Sequence, residues 1–291
     1  MENFAFGCQE SKMDKKRIYH EELLTMADPE PTLKGGYSYL PEDIRHQHKV
    51  GICTGISLTQ NAKKALGKDF SDDFQYACQK RYIDGNWNEG SAILSALKVG
   101  VKIGFLPSEE WKWTTEQDRL LPYPAYAAKL QAIPEEEMQR LIKLASDYKM
   151  TGYAQVQNDP TSIANAIKSS KAGVLCMYLV GEEWFKPSWN AKDINPLKPP
   201  KNYISGHAIT MSSFDYTKGF DQVLANTWSS AWCKKGCADV NWTKYKPREV
   251  WIPYFGMTEV QIQELKKTLQ SKLSLMQKVI DLMKKLKLLK K

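Results

Sequence analysis

The 291-residue sequence lacks the features that place a chain in a membrane or on a secretory route. No apolar run approaches about 18 residues, the length that a membrane-spanning helix requires, so we predict no such helix. The first eight residues contain neither the basic nor the apolar region of a secretory signal. We therefore expect a cytoplasmic location, or a place in an intracellular or virion-type assembly.

Cysteine and histidine are scarce, with six Cys and four His. Because no export signal is evident, reduced thiols are expected rather than disulfides. Cys233 and Cys237 lie four residues apart, but no second Cys or His pair lies near them in the sequence to complete a zinc site. We therefore predict no metal site and no cofactor.

A net positive charge is also absent from most of the chain, although the net charge of the whole is +8. Residues 266–291 contain nine Lys and one Asp and so carry 9 − 1 = +8 by themselves. The rest of the sequence sums to about zero. The basic character therefore belongs to a C-terminal tail, and we infer no specific nucleic-acid partner for the main domain.

The sequence divides into three segments, which are an N-terminal extension (1–38), a main domain (39–256) and a Lys-rich helix (257–291). Helical patterns occupy the first half of the main domain, at 53–66, 70–82, 91–99 and 134–148. Short β-like runs occupy the second half, at 153–156, 173–180, 208–214 and 222–225, with one helix at 161–169. This segregation predicts an α+β fold.

Cys53 is the first residue of the helical pattern that starts the main domain. A thiol at a helix N-terminus lies near unpaired N–H groups, which favour the thiolate. A neighbouring imidazolium would lower its pKa further. Taken alone, a single Cys is more often a small buried apolar residue.

Three further residues supply the groups that a thiol nucleophile needs. His207 precedes an apolar strand and suits a general acid and base. Asn226 follows another strand and is placed to orient an imidazole, with Trp228 covering that contact. Gln47 lies six residues before Cys53 and is a candidate oxyanion donor. Each has a plainer structural explanation alone, but their order and their positions at element ends favour one catalytic site.

These residues make the chain resemble the papain-like cysteine peptidases. That family has a Gln six residues before the Cys, a His that enters a strand, and an Asn-x-Trp motif followed by a spaced Trp and Gly. The corresponding residues here are Gln47, Cys53, His207 and the run from Asn226 through Trp228 and Trp232 to Gly236. The resemblance covers roughly residues 39–256.

The sequence also departs from the family pattern. Val50 replaces the Cys that lies three residues before the nucleophile, so the corresponding disulfide cannot form. Thr54 replaces the aromatic residue after the nucleophile, and Ser229 replaces the usual Gly. The loop 186–201 lengthens the distance between Cys53 and His207 along the chain. We interpret the sequence as a divergent, disulfide-poor member.

The resemblance implies a two-lobed fold with a helical lobe, a β-rich lobe and a cleft between them. It implies hydrolysis of peptide or isopeptide bonds, with a peptide or protein as substrate. Cys53, His207, Asn226 and Gln47 would be catalytic, Trp228 would support them, and the backbone at Gly90 and Gly206 would bind substrate. The short N-terminal extension would lie across the cleft as a plug.

Two other classes of function remain open. One is a different Cys-His hydrolase, such as an amidase or a cell-wall hydrolase. The other is a non-enzymatic structural or interaction protein of a larger assembly that retains the fold. The presence of Gln, Cys, His and Asn together favours the peptidase over both.

The C-terminal tail has a pattern of its own. Thr258 and Gln261 can form a capping box. Apolar residues then follow a heptad repeat broken once by Lys272, which predicts a coiled coil or a helix that docks against a partner helix. A basic amphipathic helix can also bind an anionic surface or fold back on its own domain. Self-association, a partner helix and an anionic surface are therefore the predicted partners.

Overall fold

The computed structural model describes residues 7–11, 37–38, 43–170, 172–185, 199–215, 221–233, 235–241 and 244–256. Its helices are α1 (Cys53–Leu66), α2 (Asp72–Cys78), α3 (Ile93–Lys102), α4 (Tyr123–Gln131), α5 (Glu135–Ala145) and α6 (Pro160–Ser170). Its strands are β1 (Cys8–Gln9), β2 (Tyr37–Ser38), β3 (Ser91–Ala92), β4 (Gly152–Gln155), β5 (Val174–Val180), β6 (Ser205–Asp215), β7 (Asp221–Ala225), β8 (Cys237–Asn241) and β9 (Glu249–Tyr254). Helices thus fill the first half of the main domain and long strands the second, which confirms the predicted α+β fold.

The helical lobe is built around α1. Residues 53–62 of this helix are all buried, because other elements cover it on every side. The helix ends at Gly67, whose positive φ of 68° allows its N–H to donate to the carbonyl of Lys63. On α5, Met138, Leu141 and Ala145 are buried at the three- and four-residue spacing of one helix face. These residues join one apolar core with α2 and α4.

The β-rich lobe is a nine-stranded sheet in which β6 is central. The order of the main path is β3-β1-β6-β5-β9-β4, and β7 pairs with both β6 and β8. β6 is antiparallel to β5 over seven residue pairs, including Tyr178 opposite His207. Helix α6 covers one face of this sheet, with Ile163 and Ile167 in the same buried cluster as Ile209.

The two lobes meet where α1 packs against β6. The hydroxyl of Ser57 donates to the carbonyl of Ala208 at 3.1 Å, and the hydroxyl of Thr210 donates to the carbonyl of Ser57 at 3.2 Å. Both hydroxyls are buried, so each bond also removes the cost of an unpaired polar group. This contact fixes the N-terminal end of α1 beside the first residues of β6.

Sequence reasoning missed several elements of this fold. Helix α4 and strands β8 and β9 were not predicted, and the pattern at 91–99 begins as strand β3 before it becomes helix α3. Nearly all of the loop 186–201, most of the N-terminal extension and the whole C-terminal helix lie outside the described residues. Within the described part of the chain, no helix is long and apolar enough to cross a membrane.

Candidate active site

Cys53 is the first residue of α1, as predicted. Its N-cap position is Ile52, which has no side-chain acceptor to satisfy the first N–H groups of the helix. The N–H groups of Ala208, Thr54, Gly7 and Cys53 itself surround the sulfur and act to lower the pKa of the thiol. Because Ala208 follows His207 directly, this contact brings the thiol to the strand that carries the predicted imidazole.

The thiol of Cys53 is not activated in this arrangement, contrary to the expectation from its helix position. Burial raises the pKa of Cys53 to about 11, although the surrounding N–H groups lower it. The side chain is fully buried, in contact with a described part of the N-terminal extension. The helix terminus favours the thiolate, but the loss of water around the sulfur outweighs that effect here.

His207 and Asn226 form the predicted pair. The imidazole Nε2 lies 2.7 Å from Oδ1 of Asn226, and both residues are fully buried. Strand β6 begins two residues before His207, so the ring is held inside a strand rather than at its first residue. Asn226 directly follows β7, which is paired with β6. This pairing brings together two residues that are 19 positions apart.

The second ring nitrogen of His207 leaves room for a different contact. Its Nδ1 has no hydrogen-bond partner among the described residues. Burial lowers the pKa of His207 from 6.5 to about 4, and the bond to Asn226 opposes this shift only in part. The imidazole is therefore neutral at pH 7, and within the described residues its Nδ1 makes no hydrogen bond.

Trp228 covers the His207–Asn226 contact, as predicted. Its ring stacks on the His207 imidazole with centroids 4.5 Å apart and planes 23° from parallel. Trp184, which sequence reasoning did not select, meets the His207 ring edge-on at 6.5 Å and the Trp228 ring at 6.2 Å. The two indoles exclude water from the imidazole and restrict its rotation.

Gln47 lies beside this pair and is held by Thr227. The backbone N–H of Gln47 donates to the carbonyl of Thr227 at 2.9 Å. The hydroxyl of Thr227 donates to the side-chain carbonyl of Gln47, and its oxygen lies 3.5 Å from Nε2 of His207. All three residues are fully buried. With its carbonyl oxygen held in this way, the amide nitrogen of Gln47 is the group that would serve as an oxyanion donor.

An extended segment of the N-terminal extension occupies the cleft between the lobes. Strand β1 pairs in parallel with β3 and antiparallel with β6, so that Cys8 lies opposite both Ser91 and Gly206. A Cβ on Gly206 would lie 2.3 Å from the carbonyl oxygen of Cys8. Gly206 is therefore a point of close backbone approach, and its role in binding substrate stays a prediction.

The two backbone polar groups of Gly90 both contact the helical lobe. Its N–H donates to the hydroxyl of Tyr76 at 3.1 Å, and its carbonyl accepts from Nζ of Lys80 at 2.8 Å. The N–H that pairs with the cleft strand belongs to Ser91 and donates to the Gly7 carbonyl at 2.6 Å. The docked segment thus pairs with Ser91, and the role of Gly90 in binding substrate stays a prediction. Gly90 instead gives space, since a Cβ there would lie 2.1 Å from the Gly7 oxygen.

A buried ion pair supports this wall of the cleft. Besides the Gly90 carbonyl, Nζ of Lys80 contacts Oδ2 of Asp84 at 2.9 Å. The hydroxyl of Ser91 donates to the same carboxylate oxygen at 2.9 Å. Lys80 is almost fully buried and Asp84 nearly so. The loop that carries Ser91 is therefore tied to the π-helical turn Gln79–Asp84 after α2.

A second carboxylate holds the segment that lies in the cleft. Oε1 of Glu249 accepts from the hydroxyl of Ser11 at 3.0 Å and from its N–H at 3.3 Å. The hydroxyl oxygen of Ser11 in turn accepts from the N–H of Leu94 at 3.3 Å. Since Glu249 begins β9 and Leu94 lies in α3, Ser11 connects the two lobes.

Sequence reasoning did not identify Thr227, Ser11 or Glu249. Thr227 lies inside the Asn-x-Trp motif, but its role depends on Gln47, 180 positions earlier. Ser11 and Glu249 are 238 positions apart, and neither belongs to a recognisable pattern. Within the described residues, no group of three His, Cys, Asp or Glu side chains is placed to hold a metal ion.

The described structure resembles several solved cysteine proteases. Xylellain, a cysteine protease from Xylella fastidiosa, has a TM-score of 0.66 at 18% identity, covering 87% of this chain and 97% of that one. Digestive procathepsin L 3 of the Tenebrio molitor larval midgut has a TM-score of 0.59 at 15% identity, with 86% and 76% covered. The bromelain protease of Ananas comosus has a TM-score of 0.52 at 13% identity, with 76% and 99% covered.

No family model and no curated protein sequence matches the chain. Identities this low establish the fold and leave the reaction to be argued from the site. The structural neighbours named above are papain-like cysteine proteases, and the helical lobe, the β-rich lobe and the cleft between them occupy the same arrangement. The chain therefore has the papain-like cysteine protease fold.

Proposed function

We propose that the protein is a cysteine-type peptidase that hydrolyses peptide bonds through Cys53. The observation that carries this proposal is the extended peptide segment that lies in the cleft against the Cys53 thiol. The cleft pairs with that segment through the Ser91 N–H on one wall and Gly206 on the other. A site that holds a polypeptide backbone next to a thiol suits a peptide substrate.

The acylation step follows from the groups around the thiol. Cys53 loses its proton to Nδ1 of His207, and the sulfur attacks the carbonyl carbon of the scissile bond. The Cys53 N–H and the amide of Gln47 stabilise the oxyanion. His207 then gives the proton to the leaving amine, and an acyl-thioester remains on the sulfur.

The deacylation step uses the same residues in reverse order. A water molecule gives a proton to His207 and attacks the thioester carbonyl. The second oxyanion collapses, the carboxylic acid product leaves, and the sulfur recovers its proton through the imidazole. Asn226 keeps the ring in one orientation through both steps, because its Oδ1 fixes Nε2 at 2.7 Å.

The occupied cleft is a resting state of this peptidase. With residues 7–11 docked, burial keeps the Cys53 thiol and the His207 imidazole neutral. Departure of the segment would return water to the sulfur and would free the Ser91 N–H for a substrate carbonyl. The N-terminal extension thus acts as a plug that competes with substrate for one strand position.

The test uses a peptide-like inhibitor that alkylates thiols, followed by mapping of the modified cysteine. Labelling is measured on the full chain and on a chain that lacks residues 1–36. We expect selective labelling of Cys53 that is faster without the segment and is abolished by His207→Ala. Cys176, which is equally buried in the β-rich lobe, serves as the matched thiol that should stay unlabelled.

Other outcomes would favour the remaining classes. Labelling that is spread over the six thiols, or that ignores His207, would contradict catalysis and favour a non-enzymatic role in an assembly. Selective labelling of Cys53 without cleavage of any peptide, together with cleavage of small amides or cell-wall fragments, would favour an amidase. If Cys53 is labelled at the same rate in the full chain and in the chain that lacks residues 1–36, the plug is contradicted but the peptidase proposal is not.

A further inference from the structure

A second cysteine lies next to the proposed nucleophile. Cys8 is in the strand that occupies the cleft, and its side chain is buried in the same apolar cluster as Cys53. Gly7, the residue before Cys8, packs so tightly against Gly51 that a Cβ on it would lie 2.3 Å from the Gly51 carbonyl oxygen. The N–H of Gly7 also acts to lower the pKa of the Cys53 thiol.

The backbone contacts show which residues of β6 lie beside Cys8 and beside Cys53. Cys8 is opposite Gly206 on β6, and the N–H of Ala208, two residues along the same strand, lowers the pKa of the Cys53 thiol. Residues two apart on a strand are separated by about 6.6 Å. Both cysteines therefore adjoin the same short stretch of β6, and both side chains belong to one apolar cluster.

The other described cysteines do not share this arrangement. Cys78 lies in the core of the helical lobe and Cys176 in the core of the β-rich lobe. None of the six cysteines forms a disulfide in the structure. Cys8 is thus the thiol that the docked segment itself delivers to the nucleophile.

We propose that Cys8 and Cys53 form a reversible disulfide that locks the N-terminal segment in the cleft and blocks the nucleophile. The bond itself does not depend on the proposed peptidase function. Only its consequence, the loss of hydrolysis, rests on that function. The disulfide would hold the N-terminal segment in the cleft covalently until a reductant breaks the bond.

The chemistry requires an oxidant, which we take to be a hydroperoxide. When the segment leaves the cleft, the Cys53 thiolate attacks the hydroperoxide, the O–O bond breaks, and a sulfenic acid and an alcohol form. On return of the segment, the Cys8 sulfur attacks the Cys53 sulfur. An S–S bond forms, the S–O bond breaks, and the hydroxide leaves as water with the Cys8 proton. Two thiols lose two electrons and the hydroperoxide gains them.

The charges around the pair keep Cys8 protonated in the docked state. Burial raises the pKa of Cys8 well above its usual value, and the Cys53 thiol and the Glu249 carboxylate raise it further. Cys8 therefore reacts from its thiol form, and its proton leaves with the hydroxide as water. The disulfide, like the two thiols, carries no charge, so the pocket holds no buried charge in either form.

The experiment treats the reduced full chain with hydrogen peroxide and identifies linked peptides by mass spectrometry. Free thiols are first blocked with iodoacetamide. One half of the sample is digested without reduction to find linked peptides, and in the other half the oxidised thiols are reduced and labelled with N-ethylmaleimide. We expect a Cys8–Cys53 linked peptide as the main product, which dithiothreitol removes. Recovery of Cys8 as a free thiol, or linked to a cysteine other than Cys53, would overturn the proposal.

Variants separate this proposal from the proposed function. Peroxide should inactivate Cys8→Ser irreversibly, because its sulfenic acid has no thiol partner and oxidises further. Cys176→Ser, the control, should recover with dithiothreitol as the wild type does. If the linked peptide forms but the reduced chain hydrolyses no peptide, the peptidase proposal is contradicted and the disulfide proposal is supported. If the reduced chain hydrolyses peptides but no linked peptide forms, the disulfide proposal is contradicted and the peptidase proposal is supported. Mapping of the linked peptide in the wild type tests the disulfide proposal even if a variant does not fold.

Discussion

Thr227 donates its hydroxyl hydrogen to the side-chain carbonyl of Gln47, although 180 positions separate them. The same hydroxyl oxygen lies 3.5 Å from Nε2 of His207, and the Thr227 N–H donates to Oδ1 of Asn226 at 2.7 Å. One buried residue therefore positions both the proposed oxyanion donor and the pair that carries the proton. The oxyanion donor and the imidazole are linked through a third side chain rather than held independently.

We first predict that Thr227→Val lowers kcat/KM on a peptide substrate by about 10- to 100-fold. Valine keeps the volume of threonine but leaves the buried Gln47 carbonyl without the hydroxyl donor, a loss of about 1–3 kcal/mol. The amide nitrogen would then no longer be held toward the oxyanion. The loss should fall mainly on kcat, because the interaction matters most in the transition state.

Thr227→Ser is the matched control for this prediction. Serine retains the hydroxyl and loses only a methyl group, so kcat/KM should stay within about threefold of the wild type. Free energies of unfolding measured with urea would show whether the valine variant is merely less stable. Equal loss of kcat/KM in both variants would contradict a positioning role for the hydroxyl.

The second prediction concerns the pH dependence of the Cys53 thiol. Gly7→Ala should expel the cleft strand, because its Cβ would lie 2.3 Å from the Gly51 carbonyl oxygen. In the wild type, burial raises the pKa of Cys53 to about 11, so its alkylation by iodoacetamide should increase tenfold per pH unit up to about pH 10. In Gly7→Ala, alkylation should be faster at pH 7 and should level off at lower pH.

The control for this measurement is Gly152→Ala, which adds the same Cβ where the nearest side-chain atom is 3.9 Å away. Its alkylation profile should match the wild type. If Gly7→Ala also matches the wild type, the N-terminal strand does not protect the thiol. Mapping of the alkylated residue confirms that the measured rate belongs to Cys53.

The chemistry-bearing residues were predictable because each has a distinctive local context. Cys53 begins a clear helical pattern, and β6 and β7 are apolar runs that His207 and Asn226 adjoin. The structure brings His207 and Asn226 together through the pairing of those two strands. A pattern that combines residue type with an element boundary can therefore be identified from sequence, even across long separations.

Contacts between unrelated backbone segments were not predictable in the same way. The docked segment pairs with Ser91 and not with Gly90. The N–H of Gly90 is bound by Tyr76 and its carbonyl by Lys80. The raised pKa of Cys53 arises from its burial, and strand β1 beside it has a short polar sequence with no periodicity that predicts a strand. Both features arise from tertiary packing, which local propensity does not encode.

The third prediction tests the buried ion pair behind Ser91. Lys80→Met should lower the free energy of unfolding by about 3 kcal/mol, because the Asp84 carboxylate is left without its cation. KM for a peptide substrate should rise more than kcat falls, since the Gly90–Ser91 loop loses its contact with Nζ. Urea unfolding and steady-state kinetics measure the two effects.

A double variant distinguishes the charge effect from lost packing. Lys80→Met with Asp84→Asn should recover part of the stability, because the uncompensated charge is gone. Lys102→Gln, at an exposed position of α3, should change the free energy of unfolding by about 0.5 kcal/mol or less. No recovery in the double variant would show that the pair acts by packing alone.

The last prediction concerns stability at acid pH and follows from the burial of His207. Its pKa is lowered from 6.5 to about 4 in the folded chain, so between these values the unfolded chain binds a proton that the folded chain does not. Stability from this group is therefore complete above about pH 6.5 and is lost as the pH falls toward 4. The shift corresponds to about 3 kcal/mol at pH 4.

Urea unfolding of the wild type and of His207→Gln at pH 7, 5.5 and 4.5 measures the loss. The other three histidines and all carboxylates are present in both proteins, so their contributions cancel when the two slopes are compared. The wild type should lose stability more steeply than the variant across this interval, and parallel slopes would show that the imidazole is not held neutral by its burial.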